Sequence, residues 1–385
     1  MRSFSVHTLF VMAAAALLSS SLVYAAPTQS SVPSSGGSAS GGATQSTKFV
    51  AVDWSGQSGL NILKWHPERE DGLRTASVEY KGERGLLKCT SYFDQYEIEF
   101  SVLHDLDSLP GFTEYAAVPR RLEMFQTDDH YHCLILEMIR GYSLREYAPL
   151  LKGDYKDVFA SRLAGLMSSA IYAMHKIRNV HGNITPDNIY IRPKEDDPDN
   201  FEVVFTGFDA AQSIRDPRQP SAIKSHGFAP PEDYIQSSVN QYKRDAWMLG
   251  ATLYFVTNGM APYNFDDSSE HGAFAPVPKE LQRKMEEIEA TDKNTFPEVN
   301  TQNGRLRQEI ERFLTPKPEN RDNVKRFTEE RDTDLFNYKP KNPAWAETWN
   351  KLKAKLLLNK KPEWHDIPPP DNRWSPNVST QNTAA

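Results

Sequence analysis

Apolar positions along this chain change period partway. Between 49 and 138 they come in short strand-like runs. Residues 75–80 and 86–89 read as two strands around the turn Lys81-Gly82-Glu83-Arg84-Gly85, a hairpin. Residues 131–138 form a continuous apolar run of strand length. One stretch in this half differs. From 94 to 106, Ile98, Val102, Leu103 and Leu106 fall at helical spacing. After Gly141 the pattern is helical, with long apolar faces over 159–177 and 246–256 and an acidic loop at 195–200. Strands first and helices second predict an α+β chain in two lobes, the smaller ending near 139.

The two ends carry different patterns. Arg2 is the single full charge before an apolar run at 9–18, and Val23 and Ala25 are small residues placed for cleavage after Ala25. Residues 1–25 are therefore expected to be a signal peptide and the protein secreted. A membrane anchor is the other reading, but the run is short, serines interrupt it at 19–21, and no second apolar segment reaches spanning length. Residues 26–47 are rich in Ser and Gly and read as a linker. The net charge of −7 leaves no basic field for nucleic acid. Two cysteines, Cys89 and Cys133, make neither a disulfide framework nor a metal site.

Several short motifs follow one another in a fixed order. Lys88 stands in Leu86-Leu87-Lys88, and Glu99 follows eleven residues later. Next come Leu136-Glu137-Met138 and Gly141-Tyr142-Ser143-Leu144. The stretch His181-Gly182-Asn183-Ile184-Thr185-Pro186-Asp187-Asn188 precedes Gly207-Phe208-Asp209. Then come Gly227-Phe228-Ala229-Pro230-Pro231-Glu232, Asp245-Ala246-Trp247-Met248-Leu249-Gly250, and Arg321 in Pro318-Glu319-Asn320-Arg321. In order and spacing, residues 60–335 resemble the eukaryotic protein kinases. The resemblance implies their two-lobed fold, with a kinase-like domain over 48–335 and a helix and polar tail over 336–385. It casts Lys88 and Glu99 as an ion pair, Asn188 as a metal ligand, and Leu136-Glu137-Met138 as the hinge. His181, Phe208, Glu232, Asp245 and Arg321 match positions that hold the family's fold.

The chemical positions depart from the pattern. Where the family has the aspartate that receives the substrate hydroxyl proton, this chain has Asn183, and where it has the metal-binding aspartate, this chain has Gly207. Gly182 and Thr185 depart as well. The stretch corresponding to the phosphate loop, 66–76, holds one glycine, Gly72, beside Glu68, Glu70 and Asp71. The residues that would flank adenine are Leu86 and Tyr190, large enough to fill the slot unless Tyr190 turns away. The resemblance thus implies a secreted pseudokinase that binds protein partners, spans no membrane, and needs no cofactor. Lys88, Glu99 and Asn188 would be a vestigial nucleotide site. The alternative is a divergent secreted kinase or nucleotidyl transferase using ATP and magnesium, with Lys88, Glu99, Asn188 and Asp209 and relocated metal ligands. With the metal aspartate gone, a structural Lys88–Glu99 pair is the simpler reading, and the eleven-residue spacing suggests a truncated helix.

Other residues have plainer readings. His181 is expected as a core histidine under Phe208, with Leu103 above, and Asp187 as a solvated loop residue. His130 and His132 would share one strand with no third ligand. Asn183-Ile184-Thr185 is a glycosylation sequon that folding should hide, so Asn377 is the better acceptor. The kinase resemblance places Cys89 and Cys133 on neighbouring antiparallel strands, both turned away from the cleft, and leaves their register open. Asn342-Pro343 opens a helix with Trp345, Trp349, Leu352 and Leu356 on one face, and Lys351, Lys353 and Lys355 around it. Its stripe is expected to pack on the helical lobe, with a docking helix for a partner or a membrane-surface helix as alternatives.

Overall fold

The computed structural model describes residues 59–67, 72–151, 153–193, 201–214, 225–235, 240–265 and 279–339. The small lobe contains β1 (Leu60–Trp65), β2 (Arg74–Tyr80), β3 (Glu83–Thr90), α1 (Phe93–Asp107), α2 (Pro110–Thr113), β4 (Ala116–Ala117), β5 (Arg121–Gln126) and β6 (His132–Glu137). The helical lobe continues with β7 (Tyr142–Ser143), α3 (Leu144–Tyr147), α4 (Asp154–Lys176), β8 (Asn179–Val180), β9 (Ile189–Pro193), β10 (Phe201–Phe205) and β11 (Gln212–Ser213). It closes with α5 (Pro231–Tyr234), α6 (Gln241–Asn258), α7 (Lys279–Thr291), α8 (Gly304–Phe313) and α9 (Thr333–Phe336).

The first lobe is a sheet of order β1-β2-β3-β6-β5, antiparallel throughout. The β2–β3 turn is tighter than the five residues expected. Tyr80 pairs with Glu83, leaving Lys81 and Gly82 with φ of 49° and 83°. Two positive φ values make the hairpin turn that matches strand twist. Alternation along β3 sends Lys88 toward α1 and Leu87 and Cys89 to the other face, where they join Val78, Cys133 and Ile135 in a core of their own. The sheet curls over that core. Tyr80 of β2 donates its hydroxyl to Glu123 of β5 at 2.5 Å, although β3 and β6 lie between them. Three strand spacings in a flat sheet would separate them by about 14 Å.

The β3–β6 register sets Cys89 directly opposite Cys133, and the two form a disulfide with Cα atoms 4.2 Å apart. That is the close spacing of a pair without mutual backbone hydrogen bonds, where facing side chains meet. In the second lobe, α6 is buried along nearly its whole length and packs against α4 and α8. The four-stranded sheet β4-β10-β9-β7 and the pair β11-β8 flank the stretch 181–188. Among the described residues no helix is long and apolar enough to cross a membrane.

The leader, the linker, the acidic loop, Glu68, Glu70, Asp71, the helix from Asn342 and Asn377 lie outside the described residues. His130 is not on a strand. It ends a turn with φ of 66°, while β6 begins at His132, so the two histidines do not share a strand face.

Denatured, unreduced protein is expected to titrate no free thiol. Replacing both cysteines by alanine should lower stability by about 3–4 kcal/mol, the chain-entropy value for a loop of this length; denaturant unfolding measures it, and an unchanged midpoint would refute a structural role.

Candidate functional site

The stretch 181–188 is held from below by one carboxylate. Asp245 of α6 accepts the backbone N–H groups of His181 and Gly182, each at 2.8 Å, and lies 2.9 Å from Nε2 of His175. Burial alone would raise this carboxyl, but the bond and charge of His175 and the N–H of Gly182 outweigh it and hold Asp245 below the usual carboxylate range. Beside it, Arg244 donates to Asp233 at 2.6 Å and to the carbonyl of Gly182 at 2.6 Å. Gly182 has φ of +73°, and a Cβ there would meet the Ala210 carbonyl oxygen at 2.3 Å. The obstacle is backbone, so the arginine of the kinase pattern has no room here.

Asp187 is not a solvated loop residue. The buried guanidinium of Arg145 grips it with two bonds of 2.7 Å, and the Arg145 N–H donates to the Pro186 carbonyl at 3.1 Å. Paired fork geometry of this kind is the stronger form of the arginine–carboxylate contact. Arg145 is set by α3, which opens on a capping box of Ser143 and Glu146.

At the base position, Asn183 is engaged on three sides. Its side-chain oxygen accepts from the Ser225 hydroxyl at 2.8 Å, its carbonyl accepts from Asn188 Nδ2 at 2.9 Å, and its N–H donates to His181 Nδ1 at 3.2 Å. At the metal position, Gly207 is left-handed with φ of 75° and ψ of 38°. A Cβ there would fall 2.5 Å from Cγ of Asn188. The Asn188 side chain therefore occupies the space in which any larger residue at 207 would begin. Asp209 lies in the first turn of the short 3-10 segment 208–210. Among the described residues no three His, Cys, Asp or Glu side chains converge on a point that could hold a metal.

Lys88 Nζ lies 2.5 Å from Glu99, and both are buried. The eleven-residue spacing is met by a two-residue connection between β3 and α1, not by a shortened helix, since α1 runs 15 residues. Leu86 and Tyr190 are both buried, and Tyr190 packs with Ile139 and Val204. His181 is fully buried with its ring 4.7 Å from that of Phe208, and Leu103 belongs to the same core. Burial holds His181 below the ordinary imidazole range, with Asp245 and Asp209 pulling the other way.

Glu232 and Arg321 form a second anchor, with two bonds of 2.7 and 2.9 Å and no exposure. Arg321 also donates to the carbonyls of Lys243, Thr315 and Pro316, and its guanidinium lies 5.0 Å from the Trp247 ring. The motifs do not reveal Arg145, His175, Ser225 or Arg244. Ser225, two residues before Gly227, and Arg244, next to Asp245, lie close enough to motifs to be sought there. Arg145 likewise directly follows the motif that ends at Leu144, whereas His175 carries no such signal.

The chain belongs to the protein kinase domain family, whose model matches residues 95–331. It is 23% identical over 233 residues to calcium/calmodulin-dependent protein kinase type 1 of Macrobrachium nipponense, a match covering 60% of this chain and 62% of that protein. It is 27% identical over 180 residues to serine/threonine-protein kinase D of Synechocystis, covering 46% and 33%. With sperm motility kinase Z of Mus musculus the identity is 26% over 208 residues, covering 53% and 38%. The chain thus spans less than two thirds of the length of each of these relatives.

Arg321→Ala would strand the buried Glu232 charge, and breaking such a pair costs about 3–5 kcal/mol; urea unfolding should show that loss, and a change under 1 kcal/mol would refute the anchor. His181 gives a pH dependence. Its folded pKa is lowered, so the unfolded chain takes the proton first as pH falls. Stability should decline as pH drops below the ordinary imidazole value of about 6.5. Asp245, also lowered, adds a further loss once pH falls below the ordinary carboxylate range. Thermal melts from pH 7.5 to 5.5 should fall less for His181→Phe than for the parent, and parallel curves would rule His181 out.

Proposed function

We propose that this protein is a pseudokinase, a kinase-like scaffold or modulator that binds a protein partner and transfers no phosphate. The observation that carries this reading is the Asn188 side chain filling the space beside Gly207. Restoring a carboxylate at 207 requires moving Asn188, which in turn breaks its bond to the Asn183 carbonyl. The residues here do not fit a magnesium-bound nucleotide, because glycine supplies no ligand to the ion that neutralises the transferred phosphoryl. Asn183 cannot accept a proton near neutral pH, and loss of a general base alone typically costs about 10²–10⁴ in rate. Burial of Leu86 and Tyr190 favours a closed adenine slot.

The leader-like N-terminal sequence and the Cys89–Cys133 bridge both support an oxidising compartment and a secreted protein. The buried Lys88–Glu99 pair supports a second reading, a divergent secreted kinase or nucleotidyl transferase that keeps Lys88, Glu99, Asn188 and Asp209.

Millimolar ATP with magnesium is expected to leave the melting temperature unchanged. A ligand at a hundred times its dissociation constant would add about 2.7 kcal/mol, which a thermal scan resolves. Asn183→Asp with Gly207→Asp is expected to gain no transfer of labelled phosphate. A clear nucleotide shift, or Lys88-dependent incorporation of phosphate or AMP by the parent, would favour the second reading.

A further inference from the structure

Pairing in the small-lobe sheet sets residues in rows across the strands. His66 extends β1 by one place, its N–H donating to the Thr75 carbonyl at 2.9 Å. Thr75 stands opposite Lys88, and Lys88 opposite Leu134. The neighbouring row on the same face holds Ser77, Leu86 and Leu136. Side chains directly opposite one another share a face. Leu136 lies in one core with Ile189 and Phe205 of the helical lobe, so this face is the one turned to the cleft. Trp65, one place before His66, packs instead on the small lobe's own core with Ala76. Alternation therefore turns His66 into the cleft, in the row of Lys88.

The ring is fixed there. His66 Nε2 lies 3.0 Å from the Ser77 hydroxyl, and both residues are buried. Ser77 is the diagonal neighbour of His66 across the β1–β2 pair, a separation that a ring can bridge. The imidazole thus leans from the Lys88 row toward the Leu86 row, along the underside of β2. A ring buried only to fill the small lobe's core would face Ala76 and Val78. This one faces the side on which Lys88 meets Glu99.

We propose that His66 is a plug of the cleft, latched to Ser77 in the space beside Lys88 that a phosphate ester would need. The proposal rests on the pseudokinase reading and adds a second obstacle to the one at Tyr190. Tyr190 stands on β9 and packs with Ile139 and Val204, whereas His66 hangs from the strands of the small lobe. The ligand excluded is an anion. The Lys88 ammonium is the group that a phosphate oxygen would pair with, and charge-assisted bonds of that kind are the strong ones. The His66 ring hangs beside that ammonium beneath the sheet. Before a phosphate could enter, the ring must leave Ser77 and turn out, which strands a buried hydroxyl. The chain itself therefore closes the cleft from both lobes.

Calorimetric titration of the full chain with ADP in the absence of metal tests the plug, with adenosine as the uncharged comparison. Tyr190→Leu alone is expected to bind ADP weakly. Adding His66→Ala should tighten ADP at least tenfold and adenosine less, because the space freed adjoins Lys88. Tyr190→Leu with Ser77→Ala keeps the ring but removes its bond, and should give a smaller gain in the same direction. ADP affinity that ignores both the His66 and the Ser77 change would overturn the proposal. So would a folded Tyr190→Leu, His66→Ala protein that binds no ADP, or an equal gain for adenosine, which would place the ring away from Lys88. Transfer of labelled phosphate from ATP by the unaltered protein is a separate measurement, and it would overturn the pseudokinase reading instead.

Discussion

The buried carboxylate of Asp245 holds the centre of this domain. It is fully enclosed, where an unpaired charge would cost several kcal/mol. It is stable there because three donors converge on it, two of them backbone N–H groups of the loop and the third His175. That arrangement fixes the direction in which the chain leaves β8, and everything from 181 to 188 inherits it. Arg244 closes the arrangement from the side by bonding the Gly182 carbonyl. None of these contacts involves a reacting group. The loop keeps its kinase shape because the forces that shape it come from α6 and not from a metal or a phosphate.

This separation explains why retention and loss divide as they do. Glu232, Arg321, Asp245 and His181 are buried, and replacing any of them would leave a charge or a polar cavity unsatisfied. Asn183 and Gly207 sit at the rim of the cleft, where one contact can be exchanged for another. Asn183 has found Ser225, and Gly207 has admitted Asn188. A substitution in the first group strands a buried charge or polar atom, whereas one in the second exchanges one contact for another.

Much of this was legible in the sequence. Helical spacing at Ile98, Val102, Leu103 and Leu106 gives α1, and the Glu232–Arg321 contact follows from two motifs 89 positions apart because the pattern that joins them is specific. What could not be read depends on geometry that residue type does not encode. Asp187 looks like any loop carboxylate until α3 brings Arg145 to it from 42 positions away. The close approach of the Ala210 carbonyl to Gly182 depends on how β11 pairs with β8. The two-residue turn at Lys81 and Gly82 needs positive φ at a lysine, which pattern alone does not call for.

The bridge between β3 and β6 also records alignment. In a strand pair, a slip of one position turns a side chain to the opposite face. If β3 moved by one residue against β6, one sulfur would face α1 while the other stayed in the curled core, and no bond could close. Oxidation therefore succeeds only in the register that also points Lys88 at Glu99. The loop it closes, 44 positions from Cys89 to Cys133, contains all of α1 and none of the helical lobe beyond β6. The bridge thus ties β3 to β6 and closes a covalent loop around α1, α2, β4 and β5.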